Sequence, residues 1–93
     1  MSLKNSPNNP FTVYILQCSD GTFYTGVAKD LEKRLEVHKS GKGSKYVRAR
    51  LPFKLIYSKV YANKVGAMQE EYRIKQLSKL EKLELIKRSV IIF

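Results

Sequence analysis

Tyr14, the triplet Tyr24-Thr25-Gly26, Arg34, His38 and Glu71 are the residues of this chain whose types together could cut a phosphodiester. A phenol can handle a proton, a guanidinium can meet phosphate charge, and an imidazole exchanges protons near neutral pH. A lone carboxylate can hold a hard divalent cation beside a phosphate, the usual magnesium arrangement. Singly, each residue has an ordinary explanation. Tyrosines in small proteins are mostly core aromatics, and a lone histidine is mostly packed or solvated. It is the joint spacing that suggests a site.

Arg34 and His38 stand four residues apart, so on a helix they share a face, one turn from each other. Leu31 and Leu35 mark the core stripe of that helix, which sets Arg34 at its border, able to reach the end of a sheet. A tyrosine, with a pKa of about 10, is a poor base unless positive charge favours its phenolate; Arg34 or a metal-bound water could supply that charge. Glu71 shares a helix face with Ala67, Ile74 and Lys75. Its neighbour Glu70 should point about 100° away, towards solvent.

The formal net charge is +10, and between Glu36 and Glu70 no acidic residue occurs. That stretch carries Lys39, Lys42, Lys45, Arg48, Arg50, Lys54, Lys59 and Lys64. A single-signed, contiguous basic surface points to nucleic acid as the partner. Gly41-Lys42-Gly43-Ser44-Lys45 reads as a loop whose amides and ammonium groups could reach a phosphate backbone. Lys42, Lys45, Arg48 and Arg50 are the expected phosphate contacts, and Tyr46 could stack on an unpaired base.

The elements that must position these groups can be read from the pattern. Phe11–Cys18 reads as a strand, Ser19-Asp20-Gly21 as a turn and Thr22–Ala28 as the returning strand. A two-residue turn would pair Tyr14 with Val27 and set Tyr14 and Tyr24 on opposite faces. A three-residue turn with Gly21 in the left-handed position pairs Tyr14 with Gly26 and Leu16 with Tyr24, so both tyrosines share a face. The three-residue form is predicted, with Gly26 leaving space beside the Tyr14 ring. Asp30 should cap a helix over Leu31–Lys39 that stops at Gly41. Phe53–Tyr61 reads as a third strand in which Phe53, Leu55 and Tyr57 alternate against Lys54, Ile56 and Ser58. Asn63 should cap a helix reaching about Leu77. Ser78-Lys79-Leu80-Glu81 is a capping box opening a last helix that should bury Leu80, Leu83 and Ile86. The order β-β-α-β-α-α gives an α+β fold, a small antiparallel sheet packed by helices.

Ninety-three residues with a 43% apolar fraction make one domain with a modest core. Residues 1–10 are polar and read as a flexible tail, leaving 11–93 as the domain. The single Cys18 excludes an internal disulfide, no Cys/His cluster suggests zinc, and no apolar run is long enough to cross a membrane. A reducing cytoplasm is the expected setting. The apolar end Val90–Phe93 reads as either a docked tail or a dimer contact.

From Phe11 to Arg88 the chain resembles the GIY-YIG nuclease family, in particular its small stand-alone bacterial branch. Val13-Tyr14-Ile15 stands at the first motif, with Val13 for the eponymous glycine, and Tyr24-Thr25-Gly26 at the second. Arg34 follows Tyr24 by ten residues, as the family's catalytic arginine does, and His38 takes a position that similar proteins fill with His or Tyr. Ala67–Lys75 looks like the helix bearing the family's metal-binding glutamate, here Glu71. Val27 stands where some active relatives carry Lys, and Val47 where members of the branch often have Thr. The resemblance implies a three-stranded antiparallel sheet flanked by helices. It also implies hydrolysis of DNA or RNA with one divalent ion, Mg²⁺ or Mn²⁺, as in homing endonucleases, restriction enzymes and the incision domain of excision repair. The expected function is a nuclease of low sequence specificity, acting on DNA more than RNA. Tyr14, Tyr24, Arg34 and His38 would be its catalytic residues and Glu71 its metal ligand. The alternatives are a non-catalytic nucleic-acid-binding module on the same fold, or a subunit whose protein partner supplies targeting.

Overall fold

The computed structural model describes residues 9–90. In chain order these form β1 (Phe11–Gln17), β2 (Phe23–Ala28), α1 (Leu31–Lys39), α2 (Lys45–Arg48), β3 (Lys54–Tyr61), α3 (Lys64–Lys75) and α4 (Lys79–Val90). The strands make one antiparallel sheet in the order β2-β1-β3. This is the α+β architecture expected, with one addition. The basic loop contains the short helix α2, whose Ser44 side chain accepts from the Tyr46 and Val47 N–H groups.

The hairpin takes the three-residue form. Cys18 N–H donates to the Thr22 carbonyl at 2.8 Å, and Gly21 between them sits at φ +83°, where a side chain would be strained. Tyr14 therefore pairs with Gly26 and Leu16 with Tyr24. Asp30 caps α1, accepting from Lys33 N–H at 3.2 Å. Gly41 ends that helix at φ +80°: its N–H reaches the His38 carbonyl while Lys42 N–H reaches Val37, the paired bonds of a left-handed helix stop. Asn63 caps α3 through Gly66 N–H, and Ser78 and Glu81 bond each other's amides as a capping box.

Central β1 is buried on both faces, so Val13–Leu16 reads as an unbroken apolar run rather than an alternation. On one face Val13, Ile15 and Tyr57 pack with Ala67 and Ile74 of α3 and with Leu85 and Ile86 of α4. On the other, Tyr14, Leu16 and Ala28 pack with Val47, Leu31, Leu35 and Phe53. The helices thus divide, α3 and α4 below the sheet, α1 and α2 above.

Two expectations about packing require correction. The alternation along β3 is interrupted by a bulge: β1 partners step from Tyr57 to Leu55, so Ile56 is an extra residue. Ile56 and Tyr57 then pack on the same cluster while Leu55 is 41% exposed. On α4, Leu80 and Leu83 face outward and Leu85 joins Ile86 in the core. Steps of three residues drift about 60° backwards each time, so a stripe at 80, 83 and 86 leaves the buried face; 82, 85, 86 and 89 stay on it. The Val90–Phe93 end and most of the expected N-terminal tail lie outside the described side chains.

Candidate active site

Tyr14 is the centre of the upper layer, 1% exposed, and its position follows from two glycines. A Cβ on its cross-strand partner Gly26 would stand 2.5 Å from the Tyr14 hydroxyl oxygen. Only a glycine lets the phenol lie across β2 towards the open edge of the sheet. The Tyr14 oxygen lies 2.9 Å from His38 Nε2 in a buried hydrogen bond. His38 is itself 1% exposed, and a Cβ on Gly43 would stand 2.6 Å from its Nδ1. The glycine after Lys42 is thus needed for contact with a ring as well as for loop freedom, a role the sequence reading missed.

His38 Nδ1 is buried with no hydrogen-bond partner among the described residues. An orphaned buried N–H is rarer than an orphaned acceptor, which favours the tautomer with its proton on Nε2. His38 then donates to the Tyr14 oxygen, and the Tyr14 O–H is free to donate elsewhere. Burial, and secondly the Arg34 charge, hold His38 below its ordinary pKa, so it is neutral at pH 7. Burial pushes the Tyr14 phenol well above its usual value; Tyr24 and Glu71 act in the same direction, while the Arg34 guanidinium opposes them.

These couplings locate the remaining members. Arg34 lies exposed one turn from His38. Glu71, on α3 below the sheet, is close enough for its charge to act on Tyr14. Its side chain is 20% exposed and bonds Lys75 Nζ at 3.2 Å. A cleft of about 240 Å³, lined by Phe23, Tyr24, Thr25, Tyr46, Lys75 and Lys82, opens here. Consecutive β2 residues line it, so it wraps the free edge of that strand. Tyr24 bridges the parts, edge-on to His38 at 5.5 Å and stacked on Tyr46 at 6.1 Å.

Glu70 does not point to solvent as expected. Its side chain is 18% exposed, and both its oxygens are taken by Arg73 beside Tyr57 and Tyr61 of β3. In the basic loop, Lys42, Lys45 and Arg48 are exposed. Arg50 is engaged within the protein: it bonds Asp20 at 3.0 Å and the Tyr46 carbonyl at 3.0 Å, and its guanidinium lies 3.8 Å over the Tyr46 ring. Tyr46 accordingly has its ring occupied by Tyr24 and Arg50. The three Val positions also have packing roles: Val13 and Val47 are fully buried on opposite faces, and Val27 packs below the sheet, away from Tyr14.

Among the described residues no three His, Cys, Asp or Glu side chains converge as a metal cage. A single carboxylate still suits a hard divalent ion that keeps several waters and takes its remaining oxygens from a substrate phosphate. Glu71, half-buried, paired with Lys75 of the cleft wall and near enough for its charge to act on Tyr14, fits that donor set.

The family model for the GIY-YIG catalytic domain matches residues 10–84. The chain belongs to the GIY-YIG family. It is 58% identical to a UPF0213 protein of Oceanobacillus iheyensis over 80% of this chain and 86% of that one. It is 48% identical to a UPF0213 protein of Staphylococcus aureus over 81% and 92%. Two solution structures share the fold: a UPF0213 protein of Bacillus halodurans (44% identity, TM-score 0.57, 84% and 83% covered) and a protein of E. faecalis (30%, 0.64, 90% and 90%). The family is one of nucleases acting on nucleic acid, and no described helix is long and apolar enough to cross a membrane.

Proposed function

We propose that this GIY-YIG protein is a metal-dependent endonuclease that hydrolyses phosphodiester bonds, DNA before RNA, with low intrinsic sequence specificity. The observation that carries the reading is the buried Tyr14–His38 hydrogen bond, moulded between Gly26 and Gly43 and coupled to Glu71. A core tyrosine with only a packing role does not require two glycines and a buried histidine around its hydroxyl.

Tyr14 orients the attacking water and, once its own phenolic proton has passed to solvent, accepts the water's proton as the phenolate. In the free protein burial keeps it a neutral phenol; Arg34 and the Nε2–H of His38 favour the phenolate that the reaction needs. His38 acts through Tyr14 and is a positioning residue. Arg34 stabilises charge developing on the scissile phosphate, a type of contribution worth about 3–4 kcal/mol. Tyr24, at the cleft wall, positions the phosphate and gives a proton to the leaving oxygen. Glu71 would hold one Mg²⁺ or Mn²⁺, which supplies positive charge to the phosphate when bound. Lys42, Lys45 and Arg48 guide the backbone, while Arg50 and Tyr46 brace the loop that carries them.

The test is a panel of labelled single-stranded, duplex, nicked and branched DNA and of RNA, with Mg²⁺, Mn²⁺ or EDTA. Cutting that requires metal and is abolished by Glu71→Ala supports the reading. Binding that survives EDTA, with no cutting of any substrate, replaces it with a binding module.

A further inference from the structure

Glu71 is paired with Lys75, one turn along α3, at 3.2 Å. The Lys75 side chain is 52% exposed, and exposed pairs at this spacing are weak and easily exchanged. Lys75 also has a second surrounding. With Lys82 of α4 it lines the cleft at the β2 edge, facing Tyr24, Thr25 and Tyr46. One ammonium therefore stands between the carboxylate that would hold a cation and the cleft that would hold a phosphate backbone.

We propose that Lys75 is an exchangeable counter-ion. In the free protein it neutralises Glu71; on substrate binding it releases that carboxylate to a divalent cation and moves its ammonium onto a phosphate flanking the cut, with Lys82 beside it. This rests on reading Glu71 as the metal-holding residue. The exchange has a physical cause. An unscreened Glu71 would repel an incoming phosphate and act on Tyr14, whose pKa its charge already raises. A lysine there lets nucleic acid approach before a cation is in place. It also makes cation and substrate bind more readily together than either does alone, because the phosphate draws away the competitor for Glu71.

The opposed signs of the two effects make the proposal testable without cleavage. Mn²⁺ binding is titrated by electron paramagnetic resonance in the absence of nucleic acid. Binding of a labelled oligonucleotide is measured in EDTA across a salt series. Lys75→Met, exposed and on a helix surface, should bind Mn²⁺ about two- to fivefold more tightly, the range expected for loss of a competing surface pair. The same variant should bind the oligonucleotide more weakly, with a salt slope smaller by about one. Lys82→Met should show the second effect without the first. Unchanged Mn²⁺ affinity or an unchanged salt slope in Lys75→Met overturns the exchange. Glu71→Gln, titrated in parallel, separates the two failures. If it loses Mn²⁺ while Lys75→Met is unaltered, the exchange alone is wrong. If it keeps wild-type Mn²⁺ affinity, Glu71 is not the metal ligand and both readings fall.

Discussion

Helix α3 carries two adjacent glutamates towards two different tyrosine-bearing clusters. Glu70 joins Tyr57, Tyr61 and Arg73; Glu71 pairs with Lys75, and its charge reaches Tyr14, which bonds His38. Their side-chain exposures are almost equal, 18% and 20%. The difference lies in what is left unfinished. Arg73 grips both oxygens of Glu70, a fork that satisfies the carboxylate. Glu71 has a single lysine at the wall of a cleft. Tyr61 lies near a closed ion pair, its pKa pushed up to about 12 by burial first and then by the Glu70 charge. Tyr14 bonds a histidine whose other nitrogen has no partner among the described residues. The closed cluster fastens α3 to β3; the open one has capacity to bind.

The contrast is broken most sharply by the two phenols. Tyr14→Phe should lower cleavage by about 10²–10⁴-fold, the range for loss of a proton-transfer group. It should also destabilise the fold by about 1–3 kcal/mol, because His38 Nε2 loses its buried partner. Tyr61→Phe should leave the cleavage rate close to wild type. Single-turnover kinetics with denaturant unfolding separates these outcomes.

Two glycines give the next test. Gly26→Ala drives a methyl group against the Tyr14 oxygen and should reduce cleavage by about 10²-fold, as a displacement of about 1 Å does. Gly66→Ala, beside Tyr61, meets only ordinary contacts at 3.5 and 4.0 Å in the first turn of α3. It should stabilise the protein by about 0.5–1 kcal/mol through helix propensity and leave cleavage alone. Thermal melts and kinetics on both variants show whether the tight packing is confined to the open cluster.

A smaller effect belongs to pH. His38 is held below its ordinary pKa, so on acidification the unfolded chain takes up a proton that the folded chain refuses. Its contribution to stability is intact above about pH 6.5 and is lost as pH falls from there towards the depressed folded value. Unfolding midpoints between pH 7 and 5 should fall for the wild type, and His38→Gln should flatten that limb. Smallest of all, Arg73→Met should lose about 1 kcal/mol of stability, as a pair with a half-exposed arginine does, with no change in cleavage.

How much of this was legible in the sequence depends on the range of the interaction involved. Turn and cap chemistry is local, and Gly21, Asp30, Asn63 and the Ser78/Glu81 box all behave in the structure as their residue types dictate. The pairing of Tyr14 with Gly26 follows from the turn length alone. What was hidden is settled across the chain. The β3 bulge at Ile56 answers to strand β1, and the inward turn of Glu70 answers to the tyrosines of β3, with Arg73 closing the pair from the same helix. Arg50 has the sequence context of a phosphate contact, yet Asp20, thirty residues away, claims its guanidinium. Gly43 looked like loop freedom, and only the position of His38 shows the contact that needs it.

The most direct measurement is cleavage of one labelled DNA by the wild type, Glu71→Gln and Glu70→Gln side by side in Mg²⁺. The two carboxylates are neighbours of equal burial, so each controls for the other. The account predicts a loss of at least about 10²-fold for Glu71→Gln and a near wild-type rate for Glu70→Gln. Glu71→Gln cutting as fast as the wild type, or Glu70→Gln being the variant that fails, would contradict it.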